Sequence, residues 1–198
     1  MKDIQEFKRF GYNYLDMFYW EENMGNWGAK SKTESYNKLK ELILGGDFPW
    51  FRMESTAFEC QEGHEDFPFL SHRALTRPLT TNSLYSKQNS EHLDHIEHVF
   101  KEIALNNDIW PKVIYRINVN AVYPTENNLP SPLHVDHDFP HDNMIIYLTD
   151  THGGSTIVED KEYNGKEDDV LIFDGSLNHC ARPPSKDTRI VIVITFLP

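Results

Sequence analysis

The chain has 198 residues, 39% apolar, 13% aromatic and 25% charged, which fits one folded globular domain at roughly 100–200 residues per domain and not a disordered chain. Nineteen Lys and Arg against 31 Asp and Glu give a formal net charge of −12, a surface that repels phosphate backbones and argues against nucleic acid as a partner. Two cysteines, Cys60 and Cys180, cannot build a disulfide framework, and no apolar run approaches the roughly 20 residues of a membrane span.

The opening residues Met1-Lys2-Asp3-Ile4 carry no apolar stretch of signal-peptide type, so the expected location is cytoplasmic. Ile4, Phe7, Phe10, Tyr14 and Phe18 recur at three- and four-residue steps and predict a first helix. Residues 23–35 are polar and read as a loop. Tyr36, Leu39, Leu42 and Ile43 predict a second short helix, ended by Gly45-Gly46. Phe48-Pro49-Trp50-Phe51 enters an extended segment, and His64 and His72 fall in irregular sequence. The clearest helix spans 90–105. There Leu93, Ile96, Val99, Phe100 and Ile103 share a face, with Ser90 or Asn89 as the cap.

From residue 113 the period changes to that of strands. Residues 113–123 alternate, with Arg116, Asn118 and Asn120 on one face and Ile117, Val119 and Ala121 on the other. Residues 124–132 are turn-rich. Further strands are expected at 144–148, 155–159, 170–173 and 189–197, with turns at 150–154 and Asn164-Gly165. Short strands behind a helical half predict a β-barrel or sandwich flanked by helices. The expected organisation is a single domain over 1–198, in which 1–110 give helical support and outer strands and 111–198 give the core.

Ten histidines raise the question of metal. His134-Val135-Asp136 sets an imidazole and a carboxylate at i and i+2, on one side of an extended chain. His179 follows the 170–173 strand and is a third candidate ligand. Two histidines and one carboxylate leave three positions of an octahedral ion open, the set used by non-haem Fe(II) oxygenases. Structural zinc prefers four closed ligands, usually with thiolates. Asp138, at i+4 from His134, is the rival carboxylate and lies further off. Arg189 heads an otherwise apolar strand, where a guanidinium makes sense if it grips an anion; the plain alternative is a surface salt bridge. His92, His95 and His98 step by three along the 90–105 helix, and the charges around them read as a solvated face. His137 and His141 are expected at a pocket mouth or in solvent. Cys180, beside His179, is expected to be a free thiol whose oxidation would inactivate the site.

Taken together, His134-x-Asp136, His179 and Arg189 ten residues later resemble the Fe(II)- and 2-oxoglutarate-dependent oxygenases, over about residues 113–198. Tyr123-Pro124 before the H-x-D, Tyr147-Leu148 after it, Gly153-Gly154-Ser155-Thr156 and the 169–174 stretch resemble the prolyl-hydroxylase-like branch. Many members place a Ser two residues after the Arg, where this chain has Val191. The resemblance implies a double-stranded β-helix (jelly-roll, cupin-like) core with N-terminal α-helices. It implies Fe(II) on His134, Asp136 and His179, and the distal carboxylate of 2-oxoglutarate on Arg189, with Tyr123 and Tyr147 as further cosubstrate contacts. Dioxygen is the co-reactant and ascorbate a reductant. The implied reaction is hydroxylation of a C–H bond in a peptidyl proline, an amino acid or another small substrate, with release of succinate and CO2. Intact Asp136 favours hydroxylation over halogenation. Demethylation, desaturation or epimerisation by the same site is the alternative chemistry, and a jelly-roll that binds metal or a small carboxylate without turnover is the non-enzymatic one. The acidic surface favours a small or cationic substrate; membrane partners are not expected, and oligomeric state is not readable.

Overall fold

A computed structural model describes residues 33–54, 60–77 and 86–198. The helix expected over residues 4–18 lies outside the described residues. Among the described residues there are two helices. Helix α1 (Glu34–Leu44) starts at Thr33, whose hydroxyl accepts from the Tyr36 N–H, and ends at Gly45. It buries Tyr36, Leu39 and Ile43, the apolar positions of the sequence pattern. Helix α2 (Leu93–Asn106) buries Leu93, Ile96, Val99, Phe100, Ile103 and Ala104. It begins three residues later than the sequence predicts. The Ser90 hydroxyl accepts the His92 N–H at 3.0 Å and also bonds the His72 ring at 2.7 Å, so it holds the turn before the helix.

Ten strands are described: β1 (Phe51–Met53), β2 (Phe69–Thr76), β3 (Lys87–Gln88), β4 (Val113–Val122), β5 (Asp142–Tyr147), β6 (Ser155–Val158), β7 (Lys161–Tyr163), β8 (Val170–Asp174), β9 (His179–Arg182) and β10 (Arg189–Leu197). They form two antiparallel sheets. The larger runs β1-β2-β4-β10-β5-β8, with β3 against β2; the smaller runs β7-β6-β9. A single bridge between His134 and His179 adds one more edge to the smaller sheet. The result is a jelly-roll core with helices packed on it, as expected from the sequence. Sequence reading missed β2, β3, β7 and β9. In particular His72, expected in irregular sequence, sits in β2 and is buried, bonded to the Pro49 carbonyl and to Ser90.

Alternation along the larger sheet separates two environments. In β10, Ile192 and Ile194 pair with Val119 and Ile117 of β4, and with Ile146 and Met144 of β5. All six are essentially inaccessible to solvent. Phe196 continues this row and packs edge-on against Phe100 of α2, ring centroids 5.2 Å apart, so this face meets the helices. The opposite face holds Arg189, Val191, Val193 and Thr195, paired with Val122, Asn120, Asn118 and Arg116 of β4. That polar row does not face open water. It lines the space inside the roll. No helix among the described residues is long and apolar enough to cross a membrane.

Candidate metal and anion site

Two loops and two strands bring the sequence-predicted ligands together. The His134 N–H donates to the His179 carbonyl at 3.0 Å, and the His179 N–H to the His134 carbonyl at 2.9 Å. Such a reciprocal pair sets both side chains on the same face, and the ring centroids lie 4.6 Å apart. Asp136 follows two residues on, with its carboxylate 3.5 Å from the His179 Nε2. One donor atom from each of His134, Asp136 and His179 lies within 4.8 Å of the others. Asp138, the rival carboxylate, is exposed and outside this group.

The hydrogen bonds around the rings fix their tautomers. The His134 Nδ1 lies 3.0 Å from the Pro132 carbonyl, and the His179 Nδ1 2.9 Å from the Leu177 carbonyl. A carbonyl only accepts, so each Nδ1 carries the proton and each Nε2 keeps its lone pair. Two lone pairs and a carboxylate oxygen therefore face one another in a largely buried place. A cation between them resolves that conflict, and the mixed N/O set suits a divalent transition metal. Burial lowers the His134 pKa, with the nearby His179 adding to it, which keeps that ring available as a ligand.

Asp136 is clamped on every side. Its Oδ1 meets the Arg116 Nη2 at 2.7 Å, and its Oδ2 accepts from the Asn143 Nδ2 at 2.9 Å. Arg77 donates to its backbone carbonyl. Burial pushes the carboxyl pKa up, but Arg116, His179 and His134 outweigh it and hold it well below the usual carboxylate range. Sequence reading placed Arg116 on a polar strand face without assigning it a task, and it passed over Asn143. The available signal was the polar row itself: three polar residues opposite an apolar row in a strand that is central in its sheet.

Arg189 lies at the head of β10 and is 2% exposed. Its Nη2 donates to the Thr156 hydroxyl at 2.7 Å, which also bonds the Tyr147 hydroxyl at 2.7 Å. The guanidinium carbon stands 5.5 Å from the centre of the Tyr147 ring. Its Nε has no partner, and it pairs with no carboxylate among the described residues. A permanent charge buried in this way is costly until an anion meets it. Tyr147 is buried behind Arg189, and its hydroxyl bonds Thr156, which lines the cavity. Gly165 makes room for it, since a Cβ there would lie 2.5 Å from the Tyr147 ring. Tyr123 is not brought to the site: it is 46% exposed at the end of β4.

His134, Asp136, His179 and Arg189 line one cavity of about 350 Å³, within the size range of small-molecule sites. Val191, Val193, Ile145 and Phe173 supply its apolar wall. His137 and His141 flank the triad, their rings 4.9 Å apart, and the histidines of α2 lie elsewhere. His95 bonds the Ser35 carbonyl and ties α2 to α1, His92 stacks on Phe48, and His98 faces Glu102 at the surface. His141 is buried, where solvent exposure or a pocket mouth was expected; its Nδ1 meets the Phe139 carbonyl at 2.7 Å. Cys180 is a free thiol, as expected, but burial pushes its pKa up to about 11. It is a poor thiolate and so a poor target for oxidation.

No protein-family model and no curated protein matches the chain. Among solved structures it matches a 2OG-Fe(II) oxygenase family oxidoreductase from Burkholderia pseudomallei. The match spans 87% of this chain and 90% of that one, at 12% identity and a TM-score of 0.63. The likeness is one of fold, a jelly-roll shared with that protein. Two enzymes of nogalamycin biosynthesis, both non-haem and α-ketoglutarate-dependent, share this fold. The epimerase SnoN matches at 13% identity and a TM-score of 0.51, over 86% of this chain and 72% of its own. The carbocyclase SnoK matches at 13% identity and a TM-score of 0.51, over 83% and 75%.

Proposed function

We propose that the chain is an Fe(II)- and 2-oxoglutarate-dependent oxygenase. His134, Asp136 and His179 hold Fe(II), and Arg189 holds the distal carboxylate of 2-oxoglutarate. One observation carries this reading: a cation-seeking donor set and a buried, unpaired guanidinium open onto the same cavity. When bound, iron with 2-oxoglutarate and dioxygen supplies oxidative decarboxylation to succinate and CO2, coupled to oxidation of a substrate C–H bond.

The residues of the chain position and shield. The Pro132 and Leu177 carbonyls aim the two imidazoles through their Nδ1 protons. Arg116 and Asn143 fix the Asp136 carboxylate and keep it ionised at neutral pH. Thr156 and Tyr147 hold the Arg189 fork, which offers two parallel hydrogen bonds to a carboxylate. Val191, Val193, Ile145 and Phe173 give the reacting region an apolar wall. We assign hydroxylation as the outcome, on a small molecule, a free amino acid or a peptidyl proline. The prolyl-hydroxylase-like assignment rests on Tyr123-Pro124, Tyr147-Leu148 and Gly153-Gly154.

The test is uncoupled turnover. Anaerobically purified protein receives Fe(II), ascorbate, 2-oxoglutarate and then oxygen, and succinate is followed. Formation of succinate that is lost in His179→Ala is expected. Folded protein that forms no succinate is a binding module, and the oxygenase reading fails. Because neighbours of this fold include an epimerase and a carbocyclase, products are screened for loss of hydrogen as well as gain of oxygen.

A further inference from the structure

The acidic surface of the chain favours a cationic substrate, yet the cavity carries the opposite charge. Among the described residues its lining holds four arginines, Arg73, Arg77, Arg116 and Arg189, against one carboxylate, Asp136, and no lysine or glutamate. Arg189 is set aside for the cosubstrate and Arg116 is paired with Asp136. Arg73 and Arg77 remain, and neither pairs with a carboxylate among the described residues. Arg77 is held in place by the Asp136 carbonyl, and among the described residues the Arg73 side chain makes one hydrogen bond, to the Met53 sulfur at 3.3 Å.

This pair is a separate station from Arg189. Arg73 pairs with Asn118 in the β2–β4 register, and Asn118 with Val193 in the β4–β10 register. Arg73 therefore lies two strands away from β10 and four residues along from the row of Arg189, roughly 16 Å between Cα atoms at about 3.3 Å per residue and 4.8 Å per strand. The Arg189 Nη2 is tied to the Thr156 hydroxyl of β6, whereas Arg77 is tied to the Asp136 carbonyl beside the triad, so the guanidiniums are anchored on different parts of the cavity wall.

Resting on the oxygenase reading above, we propose that the substrate is a small anion. Its carboxylate or phosphoryl group is gripped by Arg73 and Arg77, which presents the rest of the molecule to the metal site. The guanidinium fork is the geometry that carboxylates and phosphates accept in pairs of hydrogen bonds. The chain's net charge of −12 disfavours a polyanion, and about 350 Å³ suits a small molecule.

Two measurements test this. In the first, inorganic phosphate is titrated calorimetrically into the metal-free full chain at low ionic strength. Wild type binds, Arg73→Gln binds about tenfold more weakly, and the Arg73→Gln/Arg77→Gln double variant more weakly still. Arg189→Gln keeps the component that depends on Arg73. Arg73 is exposed and makes no other polar contact than Met53 among the described residues, so its single variant keeps the test valid if the double one fails to fold. Absence of phosphate binding, or binding lost only in Arg189→Gln, overturns the proposal. In the second, Fe(II)-loaded enzyme is screened for stimulated 2-oxoglutarate consumption with small carboxylates and phosphomonoesters beside their neutral amides and alcohols. Stimulation by the acids alone is expected; stimulation by neutral or cationic compounds overturns it. Phosphate binding through Arg73 in a protein that never consumes 2-oxoglutarate overturns the oxygenase reading instead, so the two failures are distinct.

Discussion

Arg116→Gln removes the cation that holds Asp136 ionised, and its cost shrinks when metal binds. The Arg116–Asp136 contact is 2.7 Å, with side-chain exposures of 17% and 2%. Breaking a pair of this kind leaves an uncompensated buried carboxylate, at a cost of about 3 kcal/mol. For a domain of this size each kcal/mol shifts Tm by roughly 2–4 °C, so the chelated variant melts about 6–12 °C below wild type. The gap depends on pH with a definite sign. The folded-state pKa of Asp136 is depressed in the wild type. Its contribution is therefore fully present above the unfolded value, about 3.9, and is lost as pH falls through the folded value. Without Arg116 the buried carboxyl shifts upward and protonates earlier, so the gap is steady near pH 7 and narrows as pH falls from about 5 to 3. A divalent ion at the triad supplies the missing charge. Thermal unfolding with Mn(II) in place of chelator then shows the gap reduced to less than about half. A variant within about 2 °C of wild type in chelator, or a gap that metal leaves unchanged, refutes the clamp.

Three other outcomes follow from the same geometry. Arg189→Gln loses about a hundredfold in 2-oxoglutarate affinity while retaining metal, since it removes a charge-assisted fork and leaves the triad intact; calorimetry with metal-loaded protein checks this. Gly165→Ala drives a Cβ into the Tyr147 ring, costs about 1–3 kcal/mol in denaturant melts, and weakens 2-oxoglutarate binding through displacement of the Thr156–Arg189 pair. In native protein at pH 8, a thiol reagent labels Cys60, which is exposed, and spares Cys180, whose thiol burial holds near 11; denaturant releases the second thiol.

Much of the site was legible because the chemistry sits close in sequence or at the ends of strongly patterned strands. His134 and Asp136 are two residues apart, and Arg189 opens the strand that is predicted with its observed limits, residues 189–197. The two histidines share an unpredicted bridge. Nothing in the residues around 134 or 179 announces β9, because its four residues HCAR carry no alternation to read. Likewise β2 hides its strand character behind a mixed burial pattern and the register shift after Arg73, and with it hid Arg73 and Arg77. Tyr123 illustrates the opposite failure. Its place before Pro124 matches a family pattern, but it follows the last residue of β4 and is exposed, outside the cavity lining. Pairwise partners such as Arg116 with Asp136, or Thr156 with Arg189, are tertiary facts. They depend on strands of two sheets meeting across the roll, and no local spacing encodes them.

The central claim is that His134, Asp136 and His179 hold a metal beside an anion station at Arg189. The most direct measurement is anaerobic titration of the full chain with Fe(II) and 2-oxoglutarate, followed by visible absorption. One Fe(II) per chain and a weak charge-transfer band that needs both components are expected; the band disappears in His179→Ala. In Arg189→Gln, Fe(II) still binds and the band requires about a hundredfold more 2-oxoglutarate. A band that persists in His179→Ala, or wild-type protein that binds no Fe(II), contradicts the assignment.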